Sequence, residues 1–317
     1  MDARRHGLAL APRIGAADRA MSRLGNVERR RRSLAEIREI MNSLKSLAYM
    51  ETRKLGRFVE AQRAISEQIE QAADDLVSFY PAIVPKTRAA VEVHIIVGTE
   101  RGFCGDFNER LLEQVRTSAP LEPPRRRILL AIGQKLESVL ESLTPAEEPI
   151  VFVEGASVAE EVGSVLARVV GELDSLRDEH GILSVSTSYH HNEVDITRRA
   201  LLPPFEEKKE RMPAFAHPPC LNLRPADLLV ELADAYLVAR LHEILYASLL
   251  NENQHRVTHL GAAVKHLDDK LAGLAHRVNT LRQEEITEEI EVILLSAVEL
   301  AESHLRPADV PAGDYVA

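Results

Sequence analysis

LLVELADAYLVARLHEILYASLLNENQHRVTHLGAAVKHLDDKLAGLAHRVNTL, residues 228–281, is the stretch on which the fold turns. Alternating steps of three and four from Leu229 meet Leu229, Leu232, Tyr236, Ala239, Glu243, Tyr246, Leu250, Asn253, Val257, Leu260, Val264, Leu267, Leu271, Leu274, Val278 and Leu281. Fourteen of these sixteen are apolar, which is the seam of a helix that packs along another helix. After a one-residue shift of phase, Ile286, Ile290, Ile293, Ala297 and Leu300 continue it. The 77 residues from Asp227 to Ser303 would run roughly 115 Å as one helix. No small core is that wide, so most of the seam has to meet a second helix.

Only one other segment repeats in this way. From Leu34 the same stepping gives Leu34, Ile37, Met41, Leu44, Ala48, Glu51, Leu55, Phe58, Gln62, Ile65, Ile69, Ala72, Leu76 and Phe79, twelve of fourteen apolar. Proline marks the borders. Thirteen of the 16 prolines lie between Pro81 and Pro225, so long helices fit only at 26–80 and within 222–305. We expect these two segments to pair as an antiparallel coiled coil, with residues 86–210 inserted between them.

The insert alternates short β-branched runs (90–97, 127–132, 149–153, 182–189) with helical spacing at 107–117, 134–143 and 158–178. That order implies a Rossmann-like α/β domain with a mostly parallel sheet. Residues 1–25 are rich in Arg, Ala and Gly and read as a flexible extension, either an interaction or targeting arm or the product of a start codon set ahead of Met21. Asp2 and Asp18 speak against a mitochondrial presequence. Residues 306–317 read as a loose tail.

Composition excludes several classes. In 317 residues, 45% hydrophobic and 28% charged, no apolar run is long enough to span a bilayer, so membrane association has to go through partners. A net charge of −10 argues against a nucleic-acid binder. Two cysteines, Cys104 and Cys220, make neither a disulfide scaffold nor a thiolate metal site. Aromatic residues are 4%, with no Trp, as expected where Leu, Ile, Val and Ala fill the core.

The segment VGTERGFCGDFNERL (97–111) places a Gly-rich turn between a strand and a helix. Its glycines, Gly98, Gly102 and Gly105, do not match a phosphate-binding pattern, and no Lys-Ser/Thr follows. Cys104 has no base beside it in the sequence and reads as a buried thiol in a tight turn. His255, His259 and His266 lie off the seam and read as solvent-facing; His190, His191 and His217 with Cys220 give still weaker metal signals. Arg29–Arg32 read as a solvated face or a basic collar for an acidic protein. Pro123–Arg127 read as a loop into an edge strand. No acid–base pair, cofactor motif or metal site emerges.

Three segments together resemble the gamma subunit of F-type ATP synthases, the central shaft. TERGFCGDFNERL matches that family's Gly-rich signature through Thr99, Arg101, Gly102, Cys104, Gly105 and Asn108. LRQEEITEEIEVILLSAVEL (281–300) is similar to its closing signature through Arg282, Gln283, Ile286, Thr287 and Glu289. Arg53-Lys54 stand where the family's first helix has a basic pair. Asn42 and Glu51 replace usual lysines, and Glu284-Glu285 replace small residues, so the chain resembles a divergent branch. The resemblance implies a non-catalytic rotor without cofactors, on the cytoplasmic face of a bacterial inner membrane. Its implied partners are the alpha, beta and epsilon subunits and the membrane c-subunit ring. It also implies that Arg282, Gln283, Thr287, Arg53 and Lys54 touch the catalytic ring, and that Arg101, Gly102, Gly105 and Asn108 shape the foot near epsilon and the rotor ring. The competing readings are a freestanding scaffold or sensor with a ligand-binding α/β domain, and a Cys104 hydrolase.

Overall fold

The computed structural model describes residues 11–84, 89, 91–117, 126–143, 149–192, 195–205 and 216–305, with side chains between Arg23 and Val298. Residues 1–10, the tail 306–317 and Pro123–Arg125 of the proline-rich stretch lie outside the described residues.

Two long helices frame the chain: α1, Ala11–Phe79, and α5, Pro225–Leu305. Helix α1 starts well before Asn26, so the second half of the expected extension is helical. Pro12 sits where the first turn tolerates it, and the Ala, Arg and Met that follow are good helix formers that outweigh Gly15 and Gly25. Helix α5 likewise opens on Pro225. The described residues form two compact units, one of residues 43–262 and one of α1 up to Asn42 with α5 from Ala263.

Among the described residues of the unit 43–262, five strands alternate with three helices: β1 Val91–Val97, α2 Phe107–Thr117, β2 Arg126–Ile132, α3 Gln134–Leu143, β3 Ile150–Val153, α4 Val162–His180, β4 Leu183–His190 and β5 Ile196–Leu202. The sheet order is β3-β2-β1-β4-β5; the first four strands are parallel and β5 runs antiparallel to β4. Sequence periodicity gives four of these strands and misses β5. Its sequence, ITRRALL, carries Arg198-Arg199 in mid-strand, the kind of charge that blunts a sheet edge.

Alternation along β1 divides the core. Val91, Val93, Ile95 and Val97 face α4, together with Leu55 and Val59 of α1 and Leu241, Ile244 and Leu245 of α5. Ile96, with Leu129 and Ala131 of β2, packs under Leu111 and Leu112 of α2 and Leu136 and Leu140 of α3. Both faces are therefore covered, as a parallel sheet requires. A third cluster joins Ala73, Leu76 and Val77 of α1 to Phe205, Leu229 and Tyr236.

Here α1 and α5 run antiparallel. Arg63 pairs with Glu243 at 3.7 Å, Glu70 with Arg240 at 2.5 Å, and Gln62 donates to the Ala239 carbonyl at 3.3 Å. The seam of α1 drifts off the strict heptad: Phe58 and Ile65 are 41% and 47% exposed, whereas their neighbours Val59 and Ser66 are buried. A helix of 3.6 residues per turn slips about 20° per heptad against a 3.5 repeat, so the buried stripe moves along the sequence.

In the other unit Arg38 pairs with Asp268 at 3.0 Å and Glu28 with Arg282 at 2.6 Å, again antiparallel. Val264, Leu267 and Val278 are buried. The expected continuation of the seam is not: Ile286 is 56% exposed and Ile293 64%. From Ile290 onward IEVILLSAV is apolar nearly all round, so no single stripe directs one face toward a neighbouring helix.

Candidate partner-contact site

The Gly-rich turn begins where β1 ends. Gly98 has no room for a side chain: a Cβ there would lie 2.6 Å from Leu136 Cβ and 2.8 Å from Asn108 Oδ1. That closeness allows Asn108, buried at the start of α2, to accept from the Thr99 N–H (3.1 Å) and donate to its hydroxyl (2.9 Å). The turn is thereby fixed at its base.

Glu252 of α5 holds the tip. Its carboxylate accepts from the N–H groups of Glu100 (3.2 Å) and Arg101 (3.3 Å) and pairs with Arg256. Arg256 also donates to the Gly102 carbonyl at 3.2 Å and to Asn253 Oδ1 at 2.8 Å. Burial pushes the Glu252 carboxyl up from the usual carboxylate range, against the opposing pull of Arg256 and the two N–H groups. Glu100 in turn accepts from the N–H groups of Gln134 (3.0 Å) and Gly155 (2.8 Å). This crevice at the carboxyl ends of β-strands is where open α/β sheets take ligands. Here two N–H groups that could cradle an anion already hold the carboxylate of Glu252. A cavity of about 20 Å³ is left among Val97, Gly98, Glu100, Gly155, Ser248 and Glu252, room for one water and not for a nucleotide. The ligand-binding sensor loses its obvious binding site.

Cys104 is buried, with its thiol 3.7 Å from the Glu252 carbonyl, and burial beside Glu252 pushes its pKa up to about 12. A thiol so disposed makes no thiolate at neutral pH, which argues against the hydrolase. Arg101 is exposed and donates to Ser157 at 2.9 Å. Gly105 adopts φ +65 beneath the ring of His259.

The sequence signal for Glu252 and Arg256 was present. NENQHR (251–256) is a polar run across the middle of an apolar seam, and Asn253 was one of its two exceptions. All four seam exceptions have a partner. Glu243 pairs with Arg240, Gln62 bonds to Ala239, Asn253 accepts from Arg256, and Glu51 accepts from the Ala159 N–H at 2.7 Å. That last bond sets a carboxylate at the start of the helical turn leading into α4, where a helix N-terminus favours it.

The other expected contact residues divide. Lys54 forms an ion pair with Glu160, so its charge is partly answered within the chain; Arg53 is exposed. Arg282 and Gln283 are exposed, Arg282 in its bond to Glu28, and the Thr287 hydroxyl donates back to the Gln283 carbonyl at 2.8 Å. The foot residues come together around the 98–108 turn. His255 departs from expectation: it is half-buried, edge-on to Phe107 with ring centroids 5.3 Å apart, because the turn covers a face of α5 that the seam leaves open. His190 is buried, stacks on Phe107 and donates through Nε2 to the Phe107 carbonyl at 3.0 Å.

A long antiparallel helical pair, an inserted α/β domain and a plugged crevice define a mechanical or scaffolding protein. A family model described as ATP synthase matches residues 23–299. The ATP synthase gamma chain of Clostridium botulinum strain Hall is 23% identical over 84% of this chain and 95% of its own length. Two solved structures share the fold. The Euglena gracilis mitochondrial ATP synthase, OSCP/F1/c-ring, gives a TM-score of 0.57 at 13% identity, covering 93% of this chain and 99% of its counterpart. The Tetrahymena thermophila mitochondrial central stalk/c-ring gives 0.52 at 16%, covering 71% and 99%. The chain belongs to the ATP synthase gamma family. It is a non-catalytic subunit of that machine, and its low identity to these relatives fits a divergent branch.

Proposed function

We propose that this chain is the rotating central stalk that couples ion flow through a membrane ring to ATP synthesis or hydrolysis in a catalytic ring of alpha and beta subunits. The observation that carries the reading is the apolar end of α5. Ile286, Ile290, Val292, Ile293, Leu294, Leu295 and Val298 are all exposed in one stretch, a surface that soluble proteins keep for a partner. A ring of subunits around it would cover all sides of a helix that is apolar nearly all round. Because the helical pair is asymmetric, each catalytic site meets a different face as the shaft turns. Those unequal contacts shift each site between its open and closed forms.

Arg282, Gln283, Thr287 and Arg53 are the contacts we assign to the catalytic ring, with Lys54 acting through its pair with Glu160. Arg101, Gly102 and Gly105 form the foot toward epsilon and the c-ring, and buried Asn108 holds that foot in shape. No described helix is long and apolar enough to cross a membrane. Attachment to the cytoplasmic face of a bacterial inner membrane would therefore run through the c-ring.

Co-expression with alpha and beta subunits tests the reading. The chain should co-purify with them, and ATP hydrolysis should depend on its presence. Removing residues from Leu281 onward should lower both the recovery of the chain with the ring and that hydrolysis, and Arg282→Ala should slow turnover by about tenfold, the value of one hydrogen bond to a charged group. A chain that self-associates alone, with ring activity indifferent to it, would overturn the proposal.

A further inference from the structure

Asp106, His255 and His259 lie together on the outer side of the Gly-rich turn. Each offers one ligand atom, and the three atoms are within 4.8 Å of one another. The geometry points to a site for a divalent transition metal of the zinc class, formed by these three side chains with water completing the shell.

The arrangement follows from the backbone. His255 and His259 stand at i and i+4 on α5, which puts both imidazoles on one helical face; their rings are near-parallel with centroids 6.2 Å apart. Asp106 comes from the turn entering α2, and Gly105 delivers it. With φ +65, Gly105 turns the chain, and a Cβ at that position would lie 2.1 Å from His259 Nε2. A larger residue at this φ would be strained and would push the His259 ring aside, whereas glycine lets the turn close down on the histidine and set the next residue beside it. Phe107, edge-on to His255, fixes one ring in place. Tetrahedral zinc with bonds of 2.0–2.1 Å sets its ligand atoms about 3.3 Å apart, so atoms now within 4.8 Å of one another would have to close by up to about 1.5 Å, a distance that side-chain rotation covers.

The donor set determines the cation class. Two imidazoles and one carboxylate favour Zn²⁺, Co²⁺ or Ni²⁺; Mg²⁺ and Ca²⁺ demand oxygen ligands. Asp106 and His259 are exposed, so the ion has an entry path from solvent. A bound ion would cross-link the turn to α5 at a second point, beside the internal clamp made by Glu252 and Arg256. It is a switchable fastening for a loop otherwise held by hydrogen bonds.

The test uses the full-length chain without an affinity tag, stripped by a chelator and titrated with Co²⁺, whose visible bands report nitrogen and oxygen ligation. Wild type should bind one equivalent saturably, Zn²⁺ should displace it, and millimolar Mg²⁺ should not. His259→Gln and Asp106→Asn, both at exposed positions, should each weaken Co²⁺ binding at least tenfold, with the circular dichroism spectrum unchanged. Wild-type affinity in both variants, displacement by Mg²⁺, or no saturable band in the wild type would overturn the site. Each of those failures would leave the shaft reading intact, since no ring subunit takes part in the titration.

Discussion

Between Ala239 and Arg256 no residue of α5 is exposed, although the segment includes Arg240, Glu243, Glu252 and Arg256. Between Ile286 and Val298 the same helix exposes seven large apolar side chains. Polarity and burial are thus inverted between two lengths of one element. In the first, every charge has a partner placed by another element: Glu70 for Arg240, and the backbone of the 98–108 turn for Glu252 and Arg256. In the second, no described side chain is placed to cover the apolar surface. The lesson is that a seam read from sequence marks contact surface without saying whether the contact is within the chain or with another protein.

The largest expected effect breaks the first half of that comparison. Glu252→Ala removes the acceptor for two backbone N–H groups and leaves the Arg256 guanidinium buried with less compensation. Loss of one partner from such a pair costs about 3–5 kcal/mol. Urea denaturation of the purified chain should show a loss of that order. A loss below about 1 kcal/mol would mean that water satisfies the crevice and that the clamp is not what orders the turn.

A second effect depends on pH. His94 is buried between the Ser186 and Ser188 hydroxyls at 2.6 and 3.1 Å, and burial, aided by Arg127 and Arg198, lowers its pKa to about 3. Burial likewise lowers His190 to about 4. Both folded values lie below the unfolded 6.5, so the unfolded chain binds protons first as pH falls. Their contribution is complete above pH 6.5 and is lost as pH falls toward 4 for His190 and toward 3 for His94. At pH 5 each should cost up to about 2 kcal/mol. Melting curves between pH 7.5 and 5 should fall less steeply for His94→Gln and His190→Gln than for wild type, whatever their stability at neutral pH. Parallel slopes would show that these imidazoles are already protonated or solvated.

How far the sequence reaches is clear from particular residues. The 3–4 spacing from Leu229 and Leu34 is strong because a paired helix must keep one apolar stripe, and both long helices follow from it. Strand β5 was hidden because its core-facing charge, Arg198, is satisfied by Glu92 at 2.9 Å, a partner on β1 more than a hundred positions away. The start of α1 was hidden by Gly15, Gly25 and the absence of a stripe. At the foot, the glycines announced a tight turn, yet Glu252 as its anchor required knowing that α5 passes beside it. His255 read as exposed for the same reason: helical spacing predicts one buried face, and here a second element covers another.

The smallest expected change tests the other half of the comparison. Ile293→Ser alters a side chain that is 64% exposed, so the isolated chain should keep its stability within about 0.5 kcal/mol. Val278→Ser, in the same unit but buried, should cost the chain about 1–3 kcal/mol through lost packing and the burial of a hydroxyl in an apolar seam. The ranking should reverse in a binding assay. Ile293→Ser should reduce recovery of the chain with alpha and beta subunits, because the partner surface, and not the chain's own core, is what the isoleucine fills. If Ile293→Ser destabilises the chain alone by more than about 1 kcal/mol, that stretch is already covered by chain or by a second copy. The contrast between the two lengths of α5 would then be one of neighbours within the molecule, and the apolar end would no longer point to an encircling ring.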